Sequence, residues 1–260
     1  MMLEILTENN QIKEKNYVVK YWKRIAFSLR DYQILNYIGE QRFMNLDQIC
    51  RKFYSGTTYQ SEESKRQVAY MRLRKFREFG FLQTSQPFFD PYLVYHLTKN
   101  GRSLLINHGI ANGTLPLTDR IDSKVFEHDK TLTNCRILLE ELLPLSNWKP
   151  EAILKAEGFG CEKVPDGIFH LKEKPIAIEL EISEKGKSRY VEIFNEYSSL
   201  TKLKLILYVV KSSSLIEKLL PLASSHNKIF FVPLEELYSK TQEACFRNVQ
   251  YSFSLKEIIL

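Results

Sequence analysis

The chain has 260 residues, 44% of them hydrophobic and 26% charged, a balance that excludes disorder and low complexity and leaves room for one or two domains. No apolar run approaches the roughly 18–20 residues of a membrane span, and four scattered cysteines with no CxxC pair argue against a structural zinc site or a disulfide framework. The net charge of +6 is uneven: residues 1–115 hold 17 Lys/Arg against 10 Asp/Glu and the remainder 20 against 21, which suggests a polyanion-binding module joined to a module with another task. The first fifteen residues lack a cationic start followed by an apolar stretch, so no secretion signal is expected and a reducing cytoplasm is the expected location.

In chain order, residues 30–40 have Ile34, Leu35 and Ile38 at helical spacing, with Asp31 as the expected start. A short helix is expected over 45–53 with Asn45 or Asp47 at its beginning, and then a polar loop over 55–61. Residues 62–79 read as a longer helix with Val68, Met71 or Leu73, and Phe76 on its inner side, ended by Gly80. Residues 81–85 and 92–97 read as a hairpin with a Pro-flanked turn. Phe88, Phe89 and Tyr92 sit at its tip, either to meet DNA or to cover the hairpin's own core. Thr98 caps a further helix. The stretch 107–122 collects Gly, Pro, Asn and Asp between two helical patterns and reads as the domain boundary.

Helix, helix, longer helix, hairpin is the order of a winged helix-turn-helix, whose third helix enters the major groove. That helix carries Lys65, Arg66, Arg72, Arg74, Lys75 and Arg77, with no acidic residue from 65 to 77. Lysine and arginine neutralise phosphates, and arginine also grips guanine edges, so double-stranded DNA is the expected partner. The plainer reading is a solvated helix face.

The C-terminal part alternates: a long amphipathic helix over 124–143, strands expected at 152–156, 167–171, 176–182, 203–210 and 229–232, and helices over 188–199 and 215–222. The expected fold is therefore α+β in two domains. Residues 1–115 form the winged helix, and 116–260 an α/β domain with a mixed sheet.

The chemistry concentrates between Val164 and Tyr190. Glu179 and Glu181 are two apart on a strand and project from one face. Asp166 opens the preceding strand, so a hairpin brings three carboxylates towards one sheet edge. Uncompensated they repel, and a hard cation, Mg²⁺ or Mn²⁺, is the natural partner. Such a metal activates water and stabilises charge at a phosphate. Lys185 and Lys187 follow closely enough to steady the transition state. Plainer readings stand beside these: a solvated edge strand for the glutamates, a turn for Pro165-Asp166-Gly167, and a basic helix start for the lysines. At the start of the long helix, His128-Asp129 is either first-turn polarity or an addition to the site, Asp129 on the metal and His128 on a phosphate. Glu151 and Glu157 are weaker carboxylate candidates, and Tyr190 lacks a neighbouring base to be a nucleophile.

Pro165-Asp166 followed by Glu179-x-Glu181, in an αβββαβ setting, resembles the PD-(D/E)xK nuclease superfamily over roughly residues 124–235. The resemblance implies that Asp166 and Glu179 bind metal and that a lysine two residues later is catalytic; that position holds Glu181, and Lys185 or Lys187 would substitute. The ending Tyr95-His96-Leu97-Thr98-x-x-Gly101, with His128-Asp129, Arg136, Pro165-Asp166-Gly167 and Glu179-x-Glu181, resembles the replication-relaxation family, and within it the MobC-type relaxases of mobilisable plasmids. This implies binding of a plasmid origin of transfer, metal-dependent nicking of one strand, and relaxosome proteins or a coupling protein as further partners. The absence of an H-x-H cluster sets aside the common relaxase chemistry. The alternative is a non-catalytic DNA-binding protein, a replication or relaxosome accessory factor or a transcriptional regulator, supported by Glu181 at the lysine position. A small-molecule enzyme finds no Gly-rich phosphate loop and no nucleophile elbow.

Overall fold

The computed structural model describes residues 17–20, 23–56, 61–87, 90–118, 121–160 and 162–259. Phe88, Phe89, Cys161 and most of the loop after residue 55 lie outside them, so the hairpin-tip reading of the two phenylalanines is not addressed.

Two strands, β1 (Tyr17–Lys20) and β2 (Lys23–Ala26), pair antiparallel ahead of α1 (Leu29–Glu40). The helix starts one residue earlier than its apolar spacing suggests. Ser28 is the N-cap, and Asp31 at the third helical position accepts from both the Ser28 N–H and the hydroxyl at 2.6 and 2.8 Å, a capping box. Asn45 caps α2 (Leu46–Tyr54) in the same reciprocal way with Gln48.

The third helix, α3 (Glu62–Glu78), ends as its sequence predicts: Gly80 takes φ +76°, the left-handed conformation that glycine adopts at least cost. Its inner face differs from the expectation. Ala69, Leu73 and Phe76 are buried, whereas Val68 and Met71 are 41% and 42% exposed. Either choice satisfies a helical spacing, and only the surface covered by α1 and α2 decides between them.

The expected hairpin forms from β4 (Leu82–Ser85) and β5 (Val94–Leu97). A two-residue strand, β3 (Met44–Asn45), adds to β5 on its other side. The next helix, α4 (Lys99–Asn107), is capped by Thr98, whose hydroxyl accepts from the Gly101 N–H at 3.1 Å and donates to the Gly80 carbonyl at 2.6 Å. Gly101 lies so close to β4 that a Cβ there would fall 2.3 Å from the Phe81 carbonyl oxygen. The Thr98-x-x-Gly101 pattern is thus a packing requirement as well as a cap.

The long helix α5 (Ser123–Leu142) starts at its Asp122 cap. After it the structure corrects the sequence reading: β6 is Ser146–Pro150, and Glu151–Ala156 is the short helix α6 in place of the strand expected at 152–156. Residues 151–156, EAILKA, are mostly strong helix formers, and Pro150 presets the entry into a helix. The chain continues through β7 (Gly167–Leu171), β8 (Lys174–Glu181), α7 (Lys187–Ser199), β9 (Leu205–Val210), α8 (Ser213–Leu219), β10 (Ile229–Pro233), α9 (Leu234–Lys240), β11 (Cys245–Arg247), β12 (Ser252–Ser254) and α10 (Leu255–Ile259).

These strands make a seven-stranded sheet in the order β12-β11-β10-β9-β8-β7-β6, with β8-β9-β10 parallel and the rest antiparallel. The fold is α+β with a mixed sheet. The inner strand β8 alternates between two cores. Ile176, Ile178 and Leu180 join Leu132, Cys135 and Leu139 of α5, and Ala177 joins Phe194 and Tyr197 of α7. Glu179 and Glu181 share the parity of Ala177 and lie on the α7 face. A separate core holds α1–α4 and the three-stranded sheet, and it takes in Ile137 of α5, so the long helix packs on both sheets' cores. Among the described residues no helix is long and apolar enough to cross a membrane.

Candidate functional site

The register Gly167↔Ile178 sets Asp166 abreast of Glu179, as a hairpin requires. The carboxylates do not sit at a sheet edge. They lie in the interior at the end of β8, with Glu179 5% and Glu181 3% exposed, which removes the solvated-strand reading. Burial of a carboxyl group demands compensation, and each one has its own partners.

Asp166 accepts from the Leu180 N–H at 2.8 Å and from His128 Nε2 at 3.2 Å. His128 Nε2 also lies 3.1 Å from the Leu180 carbonyl, and Nδ1 lies 3.3 Å from Asp129. With acceptors at both ring nitrogens the imidazole is held as a cation. Burial lowers its pKa, but Asp129 and Asp166 outweigh burial and raise it to about 10. Asp166 in turn is kept below the usual carboxylate range: burial pushes it up, and His128 and Lys163 pull it down further.

Glu179 accepts from the Tyr197 hydroxyl and pairs with Lys163 Nζ at 3.1 Å. Burial and the charge of Asp166 lift it to about 8 against the pull of Lys163 and Tyr197. Lys163 is the residue that sequence reasoning missed. It lies just outside the Val164–Tyr190 stretch, three positions before Asp166, and that proximity was the available signal. Its own N–H donates to Glu196 of α7 at 2.8 Å, which fixes the loop that presents it.

Glu181 is gripped by Lys185 and approached by the Ser183 hydroxyl at 3.4 Å. Lys187 opens α7 on the exposed surface, away from these contacts. Asp129 is held by Arg42 Nη1 at 2.7 Å. Tyr190 is buried, with its hydroxyl pushed up to about 12 by burial.

As arranged, this donor set does not fit Mg²⁺ or Mn²⁺. A hard divalent ion needs several free carboxylate oxygens converging on one point, and here three cationic side chains, His128, Lys163 and Lys185, take that place. Among the described residues no group of three or more His, Cys, Asp or Glu side chains is placed to hold a metal ion. Asp166, Glu179, Glu181 and Asp129 are therefore not a metal cluster in this geometry.

The basic helix divides likewise. Arg72 points inward: its guanidinium forks onto Asp31 at 2.7 and 2.5 Å, donates to the Ala26 carbonyl at 2.6 Å, and lies 4.9 Å from the Phe76 ring centroid. It ties α3 to the start of α1 and does not face a phosphate. Lys65 pairs with Glu62 at 2.5 Å and Arg66 with Asp47 of α2. Arg74, Lys75 and Arg77 stay on the exposed side, with Arg74 paired to Glu78 at 3.0 Å. Tyr70, Arg74 and Arg77 line an open groove against Leu82, Gln83 and Thr84 of β4.

A protein-family model described as replication-relaxation matches residues 35–205, from α1 to the first residue of β9. Comparison with curated proteins and with solved structures gives no match. The matched span covers well over half of the chain and includes the basic helix and Asp129, Asp166, Glu179 and Glu181, and on that basis the chain belongs to the replication-relaxation family.

Proposed function

We propose that the protein binds double-stranded DNA at a plasmid origin and serves the replication or relaxation of that DNA. Residues 1–115 act as a winged-helix DNA-binding domain, and 116–260 as an α/β domain of the PD-(D/E)xK restriction-endonuclease-like type. The observation that carries this reading is the outer face of α3, where Arg74, Lys75 and Arg77 stand exposed beside the β4-β5 hairpin. The helix, helix, longer helix, hairpin order supports it, as does family membership. A cytoplasmic location and relaxosome partners belong to the same reading.

Each arginine that neutralises a phosphate steepens the salt dependence of binding by about one unit. Titrating duplex binding against salt should show a shallower slope for Arg74→Ala and Arg77→Ala, by about 1 each, with weaker affinity on every sequence. Arg72→Ala should lower stability and leave the slope alone. Unchanged slopes for Arg74→Ala and Arg77→Ala would remove α3 as the DNA-binding helix.

A second reading, nicking of one strand, rests on a different observation: Asp166 stands abreast of Glu179, and Lys163 pairs with Glu179 within reach of the Asp166 charge. The α5-β6-α6-β7-β8-α7-β9 order, an αβββαβ arrangement with the short helix α6 inserted after its first strand, supports it too. Against it stands the neutralised carboxylate set, which also answers the cost of clustering three acids without a bound ion. Supercoiled plasmid carrying the protein's neighbouring DNA, incubated with Mg²⁺ or Mn²⁺, should stay intact with both the wild type and Glu179→Ala. Relaxed circles from the wild type alone would restore the nickase.

A further inference from the structure

The exposed face of α3 carries more than charge. At 100° per residue, the line opposite the buried Ala69, Leu73 and Phe76 runs through Gln67, Met71 and Arg74, spaced i, i+4, i+7. Val68, also exposed, flanks Met71. Met71 near the centre of this outward face, with Val68 on its flank, belongs to none of the cores described above and offers a small apolar surface in a charged setting. The flanking side chains say what that surface meets: Arg74 and Lys75 stand on either side of Met71, Arg77 is exposed further round towards β4, and these cations call for a polyanion.

The major groove offers one apolar group, the C5-methyl of thymine. Its A·T partner presents N7 and N6 of adenine, an acceptor and a donor that the planar amide of glutamine matches with two hydrogen bonds. Gln67 and Met71 are one helical turn apart, about 6 Å along the axis, which places them over neighbouring base pairs. Gln67, the sixth residue of α3, lies towards the N-terminal end that reaches base edges in a recognition helix, and Met71, the tenth, follows it on the same line. Arg74 makes an exposed pair with Glu78, worth about 0–1 kcal/mol, which a phosphate can displace.

We propose that Met71 and Gln67 are specificity-determining residues that read neighbouring A·T pairs, Met71 against a thymine methyl and Gln67 on an adenine edge. This rests on the DNA-binding reading above and adds the base chemistry to it.

The test uses the full chain and a pool of random-sequence duplexes, from which the tightest binders are selected at fixed salt. Each thymine of a selected duplex is then replaced in turn by deoxyuridine, which removes only the methyl. At one or two positions the wild type should lose about fourfold in affinity, the value of one buried carbon. At those positions Met71→Ala should bind the thymine and uracil duplexes alike. At a neighbouring adenine, replacement by 7-deazaadenine should weaken the wild type and leave Gln67→Ala unchanged. Both substitutions are at exposed positions, and thermal melting checks that they fold. If uracil binds as well as thymine throughout while Arg74→Ala and Arg77→Ala still weaken binding, the base assignment is wrong and the DNA-binding reading survives. If no duplex is bound even at low salt, both fall. If Met71→Ala alters self-association and not DNA affinity, the apolar strip is a protein contact and the proposal is overturned.

Discussion

Arg136→Ala should destabilise the protein by about 3–5 kcal/mol, the range for removing one partner from a buried ion pair. The Arg136 guanidinium is buried where α1, α5 and β6 meet. It donates to Glu140 at 2.8 Å and pairs with Glu40 at 2.8 Å. It also lies 3.8 Å from the Tyr37 ring centroid and 4.9 Å from that of Trp148. Glu140 further accepts from the Tyr37 hydroxyl at 2.9 Å and pairs with Lys52 at 2.7 Å. Alanine would leave two carboxylates facing one another in the interior, with a cavity between two rings. Burial pushes Glu140 up, and Arg136 and Lys52 more than reverse it, holding Glu140 below its ordinary value. A depressed carboxyl contributes stability that is present above its unfolded pKa and lost as pH falls through the folded one. The difference between wild type and Arg136→Ala should therefore be full at neutral pH and shrink as the solution is acidified below about pH 4. Urea unfolding at neutral and acid pH measures both. The control is Arg136→Met combined with Glu40→Gln and Glu140→Gln, which removes all three charges and should recover most of the loss. A loss under about 1 kcal/mol for Arg136→Ala would show that the junction relies on its apolar contacts alone.

The second large effect is at Glu179, and its sign is opposite. Its carboxyl is raised to about 8, so the folded protein holds this proton where the unfolded chain has released it. A raised carboxyl contributes stability that is complete below the unfolded pKa, about 4.5, and lost as pH climbs through about 8. Glu179→Gln keeps an acceptor for the Tyr197 hydroxyl and carries no charge to bury. It should match the wild type near pH 5 and exceed it increasingly above that, by on the order of 3 kcal/mol at pH 9. Melting temperatures across that window decide it, and a constant offset would show that Glu179 does not titrate there. Millimolar Mn²⁺ should leave the wild-type profile unchanged. If the ion abolished the alkaline loss, it would be binding the ionised carboxylate, and the conclusion that this donor set does not fit a metal would be wrong.

Much of the architecture was legible from the sequence because it depends on neighbours in the chain. Asn45, Thr98 and Gly80 mark helix ends through contacts spanning only a few residues. The alternation in β8 and the hairpin joining it to β7 follow from period-two patterning. The concentration of positive charge before residue 115 is a count and needs no coordinates. Where the reading was mistaken, a stronger local signal had been passed over. Asp31 reads as a helix start, but Ser28 completes the reciprocal cap. Residues 152–156 read as a strand, but their helix-forming residues make α6, and the pairing with β7 is made by β6 just before it.

The chemistry of the site was decided by tertiary structure alone. Six basic residues on one helix look alike in sequence, yet a turn of 100° per residue sends Arg72 inward to Asp31 and leaves Arg74, Lys75 and Arg77 outside. Three acidic residues, two at the end of β8 and one just before β7, read as a metal site, because like charges need compensation. The sequence determined that need. Which cations meet it depends on side chains up to 38 positions away: His128 on Asp166, Lys163 on Glu179 and Lys185 on Glu181. Coulomb interactions act through space at a few ångströms, and only the packed fold sets those distances.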